Sequence, residues 1–177
     1  MSLQEAALSK NAEHLEELLR TIDPNDSDDS SRTALHCAAY SGAYNCVRLL
    51  LSKGADVNCT DKLGATPLQN ASYQNHVRIV RLLLKHGAKV DMRDCEESTA
   101  LHKASLRGNL EIVSQLLRAN ANPNVPDTDS CTPLHYAAEN CFSSVVEKLL
   151  IYDANTQAAD KEGQTALHHS AFKGDVE

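Results

Sequence analysis

Apolar residues recur along this chain at the spacing of short helices that follow one another in pairs. Leu68, Ala71 and Ser72 fall on one side of a first short helix, where small side chains allow a neighbouring layer to approach closely. After a breaker at Asn75, a second helix is predicted over residues 76–85. The prediction of this second helix is based on four apolar residues at helical spacing, Ile79, Val80, Leu83 and Leu84.

The helix pair repeats at a fixed interval. A threonine recurs every thirty-three residues and opens a similar four-residue phrase each time. The five phrases are Thr33-Ala-Leu-His36, Thr66-Pro-Leu-Gln69, Thr99-Ala-Leu-His102, Thr132-Pro-Leu-His135 and Thr165-Ala-Leu-His168. A fixed period of this size indicates a chain built from stacked copies of one unit, each of which packs only on its neighbours.

With this phrase and this period, the chain resembles the ankyrin repeat family over nearly its whole length. The resemblance implies an all-α solenoid of helix-turn-helix units, with β-turn or hairpin fingers between successive units. It further implies a single repeat domain over residues 1–177. The expected units are a degraded N-terminal capping repeat over 3–32, full repeats over 33–65, 66–98, 99–131 and 132–164, and a truncated sixth repeat over 165–177.

Residues that favour tight turns stand at equivalent positions in the units. The second helix is followed by residues that tolerate left-handed backbone, namely Gly54, Gly87, Asn120 and Asp153. Between the helices, the corresponding residues are Gly42, Asn75, Gly108, Cys141 and Gly174. Only Cys141 suits that conformation poorly, and we expect strain or an altered turn there. Aspartates five residues before each phrase threonine are predicted to accept backbone N–H bonds, namely Asp28, Asp61, Asp94, Asp127 and Asp160.

The phrase histidines, His36, His102, His135 and His168, invite a catalytic interpretation. Recurrence at one register is instead what a structural role produces, and the resemblance assigns them hydrogen bonds that tie neighbouring loops together. Gln69 departs from the phrase but can still donate and accept. The sequence has no glycine-rich phosphate loop, nucleophile elbow or HExxH motif. We therefore predict no catalytic residue, no cofactor site and no metal site, and a protein that is not an enzyme.

Composition narrows the class of partner. The chain carries 17 basic and 24 acidic side chains, a formal charge of −7, which argues against nucleic acid because a phosphate backbone needs clustered Lys and Arg. No apolar run reaches the roughly 20 residues of a membrane span, so membrane insertion is not expected. The six cysteines lack CxxC spacing and are predicted to be reduced thiols, with Cys37 and Cys46 partly buried. Reduced thiols favour the cytoplasm or the nucleus.

The two ends differ from the central units. The loop over residues 23–31 is acidic and one residue short, and we expect a mobile, solvated turn. At the other end, residues 165–174 supply a first helix, and residues 175–177 stop where a second helix would begin. We expect that the protein continues beyond this point or that a partner covers the end.

The resemblance implies that the finger tips and the outer side of the first helices line a concave face that contacts partners. Tyr40, Tyr73 and Leu106 stand one repeat apart and are predicted to form an exposed apolar stripe; the alternative is three unrelated surface side chains. Acidic residues of the middle fingers, such as Glu96 and Asp129, favour a protein or peptide with a hydrophobic anchor and a basic residue. The predicted partner-binding residues are Tyr40, Ser41, Lys62, Leu63, Tyr73, Gln74, Arg93, Glu96, Leu106, Arg107, Asp129 and Glu139.

A modification is also implied by the resemblance alone. Ankyrin repeats are often substrates of an asparaginyl hydroxylase, and Asn58 stands at the matching position in the segment Leu50-Leu-Ser-Lys-Gly-Ala-Asp-Val-Asn58. The alternative is that Asn58 simply bonds the loop backbone.

The function that these features favour is a protein-interaction module that acts as an adaptor or scaffold. A second interpretation is a regulatory or substrate-recognition segment of a larger enzyme, ubiquitin-ligase adaptor or channel. A third is a structural spacer, which the apolar stripe disfavours.

Overall fold

The chain folds into short helices joined by tight turns. The computed structural model describes residues 2–173 and divides into two compact units, Met1–Lys89 and Val90–Glu177. Unit 1 contains α1 (Leu3–Leu8), α2 (Ala12–Leu18), α3 (Ala34–Ser41), α4 (Tyr44–Ser52), α5 (Pro67–Tyr73) and α6 (Val77–Lys85). Unit 2 contains α7 (Ala100–Leu106), α8 (Leu110–Arg118), α9 (Pro133–Glu139), α10 (Ser143–Ile151) and α11 (Ala166–Lys173). No strand forms within residues 2–173, so the predicted all-α class is confirmed.

The fingers between helix pairs are tight turns rather than extended hairpins. Isolated antiparallel bridges form in two of them, between Ser27 and Thr33 and between Ala159 and Thr165. The single domain over residues 1–177 stays a prediction.

In unit 1, the helices form two rows. The first helices α1, α3 and α5 lie side by side, the second helices α2, α4 and α6 form the other row, and each first helix packs on its own second helix. Ala38, Ala39 and Ala71 are fully buried in the first row, where their small side chains let neighbouring backbones approach closely. Larger apolar side chains fill the second row, at about 1.5–3 kcal/mol per buried side chain. Its fully buried leucines are Leu15, Leu50 and Leu83.

Unit 2 repeats this arrangement with a shorter second row. The first helices α7, α9 and α11 pack in order, and α8 and α10 pack on each other and on α7 and α9. The predicted turn residue Gly174 and the predicted start of a second helix at 175–177 lie outside the described residues.

The phrase threonines determine where the first helices begin. The N-caps of α3, α5, α7 and α9, all in extended backbone, are Thr33, Thr66, Thr99 and Thr132. Helix α6 begins at Val77, one residue later than predicted, because His76 serves as its N-cap.

Left-handed backbone occurs at the positions where it was predicted. Gly54, Gly87, Asn120 and Asp153 follow the second helices with φ of 87°, 85°, 63° and 60°. Cys141 has a φ of 56° and so adopts the same conformation as Gly42, Asn75 and Gly108. Of the two alternatives expected at Cys141, the turn geometry is retained, and a non-glycine residue bears the steric cost of this conformation.

Candidate protein-binding surface

Three of the four phrase histidines, His36, His102 and His135, use both ring nitrogens in hydrogen bonds that hold the fold. His168 Nδ1 accepts a bond from the Thr165 N–H at 3.1 Å, and its link to a following loop stays a prediction. His36 Nδ1 accepts a hydrogen bond from the Thr33 backbone N–H at 3.2 Å, which leaves the proton on Nε2. Nε2 then donates to the carbonyl of Ala65, in the next finger, at 3.0 Å. Burial lowers the pKa of His36 below its usual range, because the charged form is poorly solvated. His36 therefore links successive repeats, as predicted, and it does so as a neutral ring.

The same bonds recur in unit 2. His102 joins Thr99 to the Cys131 carbonyl, and His135 joins Thr132 to the Gln164 carbonyl. Burial also lowers the pKa of His102 and of His135.

The turn aspartates each use one carboxylate oxygen to hold the finger. Asp61 Oδ1 accepts the N–H groups of Leu63 and Ala65 at 2.9 and 3.0 Å, which closes the turn. Equivalent pairs of bonds to Oδ1 form at Asp28, Asp94, Asp127 and Asp160. The backbone bonds predicted for these five aspartates are confirmed.

In four of the five fingers, the second oxygen, Oδ2, binds a side chain, and the identity of that side chain differs among the four. Asp28 Oδ2 binds Arg32 Nη2 at 2.9 Å. Asp94 Oδ2 binds Lys103 Nζ at 2.9 Å. In the remaining two cases the donors are Tyr136, whose hydroxyl lies 2.6 Å from Asp127, and His169, whose Nε2 lies 2.7 Å from Asp160.

An open groove of about 550 Å³ lies in unit 1, where first helices meet finger turns. Its apolar part is formed by Leu8, Tyr40 and Leu63, whose exposed fractions are 45%, 52% and 64%. Its polar lining includes Ser30, Arg32, Asp61, Lys62 and Asn70. Exposed aromatic and aliphatic side chains around a few polar groups are typical of a recognition surface.

The family is decided by comparison with known proteins. A family model described as ankyrin repeats (3 copies) matches residues 2–61, 53–127 and 101–177 of the chain. The chain belongs to the ankyrin repeat family. The Arabidopsis thaliana potassium channel AKT1 is 59% identical to the ankyrin chain over 34 residues, which is 19% of this chain and 4% of the channel.

Three of the six predicted partner-binding residues of the ankyrin repeats in unit 1 contribute to the groove. Tyr40, Lys62 and Leu63 line the groove. Tyr73 ends α5 at the position that Tyr40 has near the end of α3, and 37% of its surface is exposed. Two predicted residues serve the fold: Ser41 donates to the Ala7 carbonyl at 3.2 Å, and the half-buried Gln74 is the C-cap of α5.

Leu8 was not indicated by the repeat phrase, because the degraded first ankyrin repeat is out of register with the rest. The segment Ala6-Ala7-Leu8 nevertheless matches Ala38-Ala39-Tyr40. Lys10 has positive φ two residues after Leu8, as Gly42 has two residues after Tyr40. This match, at an offset of thirty-two residues instead of thirty-three, is the signal that would have identified Leu8.

In unit 2, the predicted acidic finger residues Glu96 and Asp129 already have cationic partners. Glu96 and the neighbouring Asp94 share Lys103, with Glu96 Oε2 at 3.2 Å from its Nζ. The predicted residue Arg93 is paired with Glu97 at 2.8 Å, and Asp129 lies 3.6 Å from Lys161 Nζ. These pairs neutralise much of the acidic edge that the sequence indicated.

The remaining predicted residues of unit 2 lie near the ends of first helices. Leu106 and Glu139 are half-buried, and Arg107 is exposed. The alignment of Leu106 with Tyr40 and Tyr73 stays a prediction.

Asparagine side chains form a second set of links between ankyrin repeats. Asn58 Nδ2 donates to the Gly87 carbonyl at 3.3 Å, and its Oδ1 accepts from the Lys89 N–H at 2.8 Å. Asn25 makes the same two bonds to Gly54 and Asp56, and Asn124 makes them to Asp153 and Asn155. Asn25 thereby holds the acidic loop over residues 23–31, most of which is exposed to solvent. The backbone bonds of Asn58 are present, and its hydroxylation stays a prediction.

The cysteines of the ankyrin repeats form no disulfide within residues 2–173, and Cys37 and Cys46 are buried, as predicted. Burial raises the pKa of Cys59 to about 11 and that of Cys131 to about 12, so both thiols stay protonated and unreactive at neutral pH. Residues 2–173 contain no group of three metal-ligating side chains placed to hold an ion. None of the helices described there is long and apolar enough to cross a membrane.

Proposed function

We propose that this ankyrin repeat chain is a protein-interaction module that acts as an adaptor or scaffold. Its first helices and finger turns bind a protein or a peptide segment. The observation that carries this proposal is the open groove in unit 1, where Leu8, Tyr40 and Leu63 are exposed beside polar groups. An apolar side chain of a partner that covers these residues removes apolar surface from water on both sides.

Catalysis by the chain itself is not part of this proposal. Both ring nitrogens are hydrogen-bonded in three of the phrase histidines, His36, His102 and His135. In the fingers, Oδ1 of Asp61, Asp94 and Asp127 each accepts hydrogen bonds from two backbone N–H groups. Groups engaged in this way support a frame for binding better than an acid–base pair.

The similarity to AKT1 supports the assignment of ankyrin repeats to this chain, and it does not favour a channel function. Its 34 residues are close to one repeat period, and this chain spans 4% of the length of that protein. A regulatory or substrate-recognition role within a larger enzyme, ubiquitin-ligase adaptor or channel requires the same protein-binding surface, so the experiment below addresses that surface directly.

The test is selection from a phage-displayed library of random short peptides on the folded, immobilised chain. A Tyr40→Ala, Leu63→Ala double variant removes the exposed apolar side chains of the groove, and Ile151→Ala, at a site that is 70% exposed in α10, is the matched control. We expect the parent chain and the control to enrich a shared apolar motif that the double variant does not enrich. Circular dichroism establishes that all three chains are folded.

The proposal is wrong if no peptide is enriched by the parent chain. It is also wrong if the double variant enriches the same peptides as the parent, because the groove then contributes nothing to recognition.

A further inference from the structure

One finger aspartate differs from the other four. Oδ2 of Asp28, Asp94, Asp127 and Asp160 is filled by Arg32, Lys103, Tyr136 and His169, respectively. Asp61 closes its turn through Oδ1 in the same way, but its Oδ2 has no hydrogen-bond or ion-pair partner within residues 2–173. The repeat therefore has a donor position that the chain leaves unfilled at Asp61.

The reason lies nine residues further along the chain. Lys103, Tyr136 and His169 each stand nine residues after the aspartate that they bind, and Asn70 occupies this position relative to Asp61. The side chain of asparagine is shorter than those three, and Asn70 makes no hydrogen bond to Asp61. Asp61 and Asn70 are both half-buried, and both line the groove of unit 1.

Neither of the cationic side chains near Asp61 donates a hydrogen bond to its Oδ2. Arg32 also lines the groove, but Asp28 holds it through two bonds, from Nη2 at 2.9 Å and from Nε at 3.0 Å. Lys62 is exposed in the finger turn, next in the chain to Asp61. The charge of Lys62 repels a cationic side chain of a partner at long range. Direct hydrogen bonds to Asp61 therefore have to provide the attraction at short range.

We propose that Asp61 Oδ2 and the amide of Asn70 bind an arginine or lysine side chain of the partner protein. A neighbouring apolar side chain of the same partner segment then lies on Tyr40 and Leu63. This inference rests on the proposed function, since it names the chemistry of the segment that the groove receives. Its basis is the chain's own use of the equivalent oxygen, which takes arginine, lysine, a tyrosine hydroxyl and histidine in the sister fingers.

The proposal places the basic contact at a different residue from those indicated by the sequence. Glu96 and Asp129 stood out because they are acidic finger residues, but Lys103 and Lys161 pair with them. Displacing such a pair offsets much of what a new ion pair would contribute. Asp61 has no such partner to displace.

Two variants of the folded chain test the assignment in the same peptide selection. Asp61→Asn keeps an oxygen that can accept the turn N–H bonds but replaces Oδ2 with an N–H donor. Asn70→Lys places the residue type of Lys103 at the equivalent position, where it can bind Asp61 within the chain, as Lys103 binds Asp94. Asp160→Asn makes the same chemical change in unit 2, in a finger whose oxygen is already occupied by His169.

We expect the parent chain and Asp160→Asn to enrich peptides in which a basic residue accompanies the apolar one. Asp61→Asn and Asn70→Lys should keep the apolar preference and lose the basic one. A synthetic peptide taken from the parent selection should bind Asp61→Asn more weakly by on the order of tenfold. Replacing its basic residue with glutamine should cause little further loss in that variant.

The outcomes separate the two proposals. Enrichment of apolar peptides without a basic residue overturns the assignment to Asp61 and leaves the proposed function standing. Equal basic enrichment by the parent and both variants also overturns it, and no enrichment at all refutes both proposals.

Discussion

Replacement of His36 by alanine should destabilise unit 1 far more than replacement by glutamine. Alanine leaves the buried Thr33 N–H and the Ala65 carbonyl without the bonds that the imidazole makes at 3.2 and 3.0 Å. The Ala65 carbonyl keeps the bond that it accepts from the Asp61 N–H at 3.1 Å, so only the Thr33 N–H is left unsatisfied. One unsatisfied buried polar group costs about 1–3 kcal/mol and the lost bond to Ala65 about 1 kcal/mol, which together predict a loss of roughly 2–4 kcal/mol in the free energy of unfolding. Glutamine retains the first bond, as Gln69 shows by accepting from the Thr66 N–H at 2.7 Å.

The glutamine variant should therefore lose only about 1 kcal/mol, the net contribution of one hydrogen bond. Urea unfolding followed by circular dichroism near neutral pH measures both losses against the parent chain. Amide hydrogen exchange localises them: the Thr33 amide should stay protected in His36→Gln and exchange rapidly in His36→Ala.

Equal urea midpoints for the two variants would refute this reasoning, as would an unchanged Thr33 exchange rate in His36→Ala. In either case, the hydrogen bonds of His36 would not be what holds successive repeats together.

Three further predictions follow from the same geometry. Because burial lowers the pKa of His36, His102 and His135, the unfolded chain binds protons first near the unperturbed value of about 6.5. Stability should be fully present above that pH and fall on acidification, and an unchanged urea midpoint between about pH 7.5 and pH 5.5 would contradict this. Cys141→Gly should stabilise the chain by up to about 1 kcal/mol, since glycine removes the steric cost of the left-handed turn and loses part of the gain as backbone entropy; a lower melting temperature would argue against strain there. Asn58→Ala should cost about 1–2 kcal/mol through two lost bonds to the next loop, whereas hydroxylation of Asn58 would appear as one added oxygen in peptide mass spectrometry of the cellular protein, and its absence would remove that prediction.

The sequence predicted those features that depend on one residue type at a fixed offset. Thr33 caps its helix and Asp61 closes its turn through atoms within a few residues of each other, so the local chemistry alone determines them. The link from His36 to the next loop was predicted from the resemblance to ankyrin repeats. Its recurrence at His102 and His135 follows from the period, which places an equivalent donor and acceptor in successive repeats.

Features that depend on the choice among several side chains were not predictable. Asp28 takes Arg32 from within its own turn, whereas Asp94 takes Lys103 from the following helix, and no phrase distinguishes the two arrangements. The pairing of Glu96 with that same lysine follows from rotamers that a repeat pattern does not specify.

The side-chain links between successive repeats have a fixed reach along the sequence, and this limits how such a chain can change its length. His36 reaches a carbonyl 29 residues ahead, and Asn58 reaches one at the same separation. Insertion of one residue between a donor and its acceptor moves that acceptor out of register with its donor. Duplication or loss of a whole thirty-three-residue segment restores each donor to an equivalent acceptor, wherever in the segment the break falls. Genes for this chain can therefore gain or lose complete repeats by recombination at many breakpoints. Single-residue insertions are tolerated mainly where no side-chain link between repeats spans the insertion.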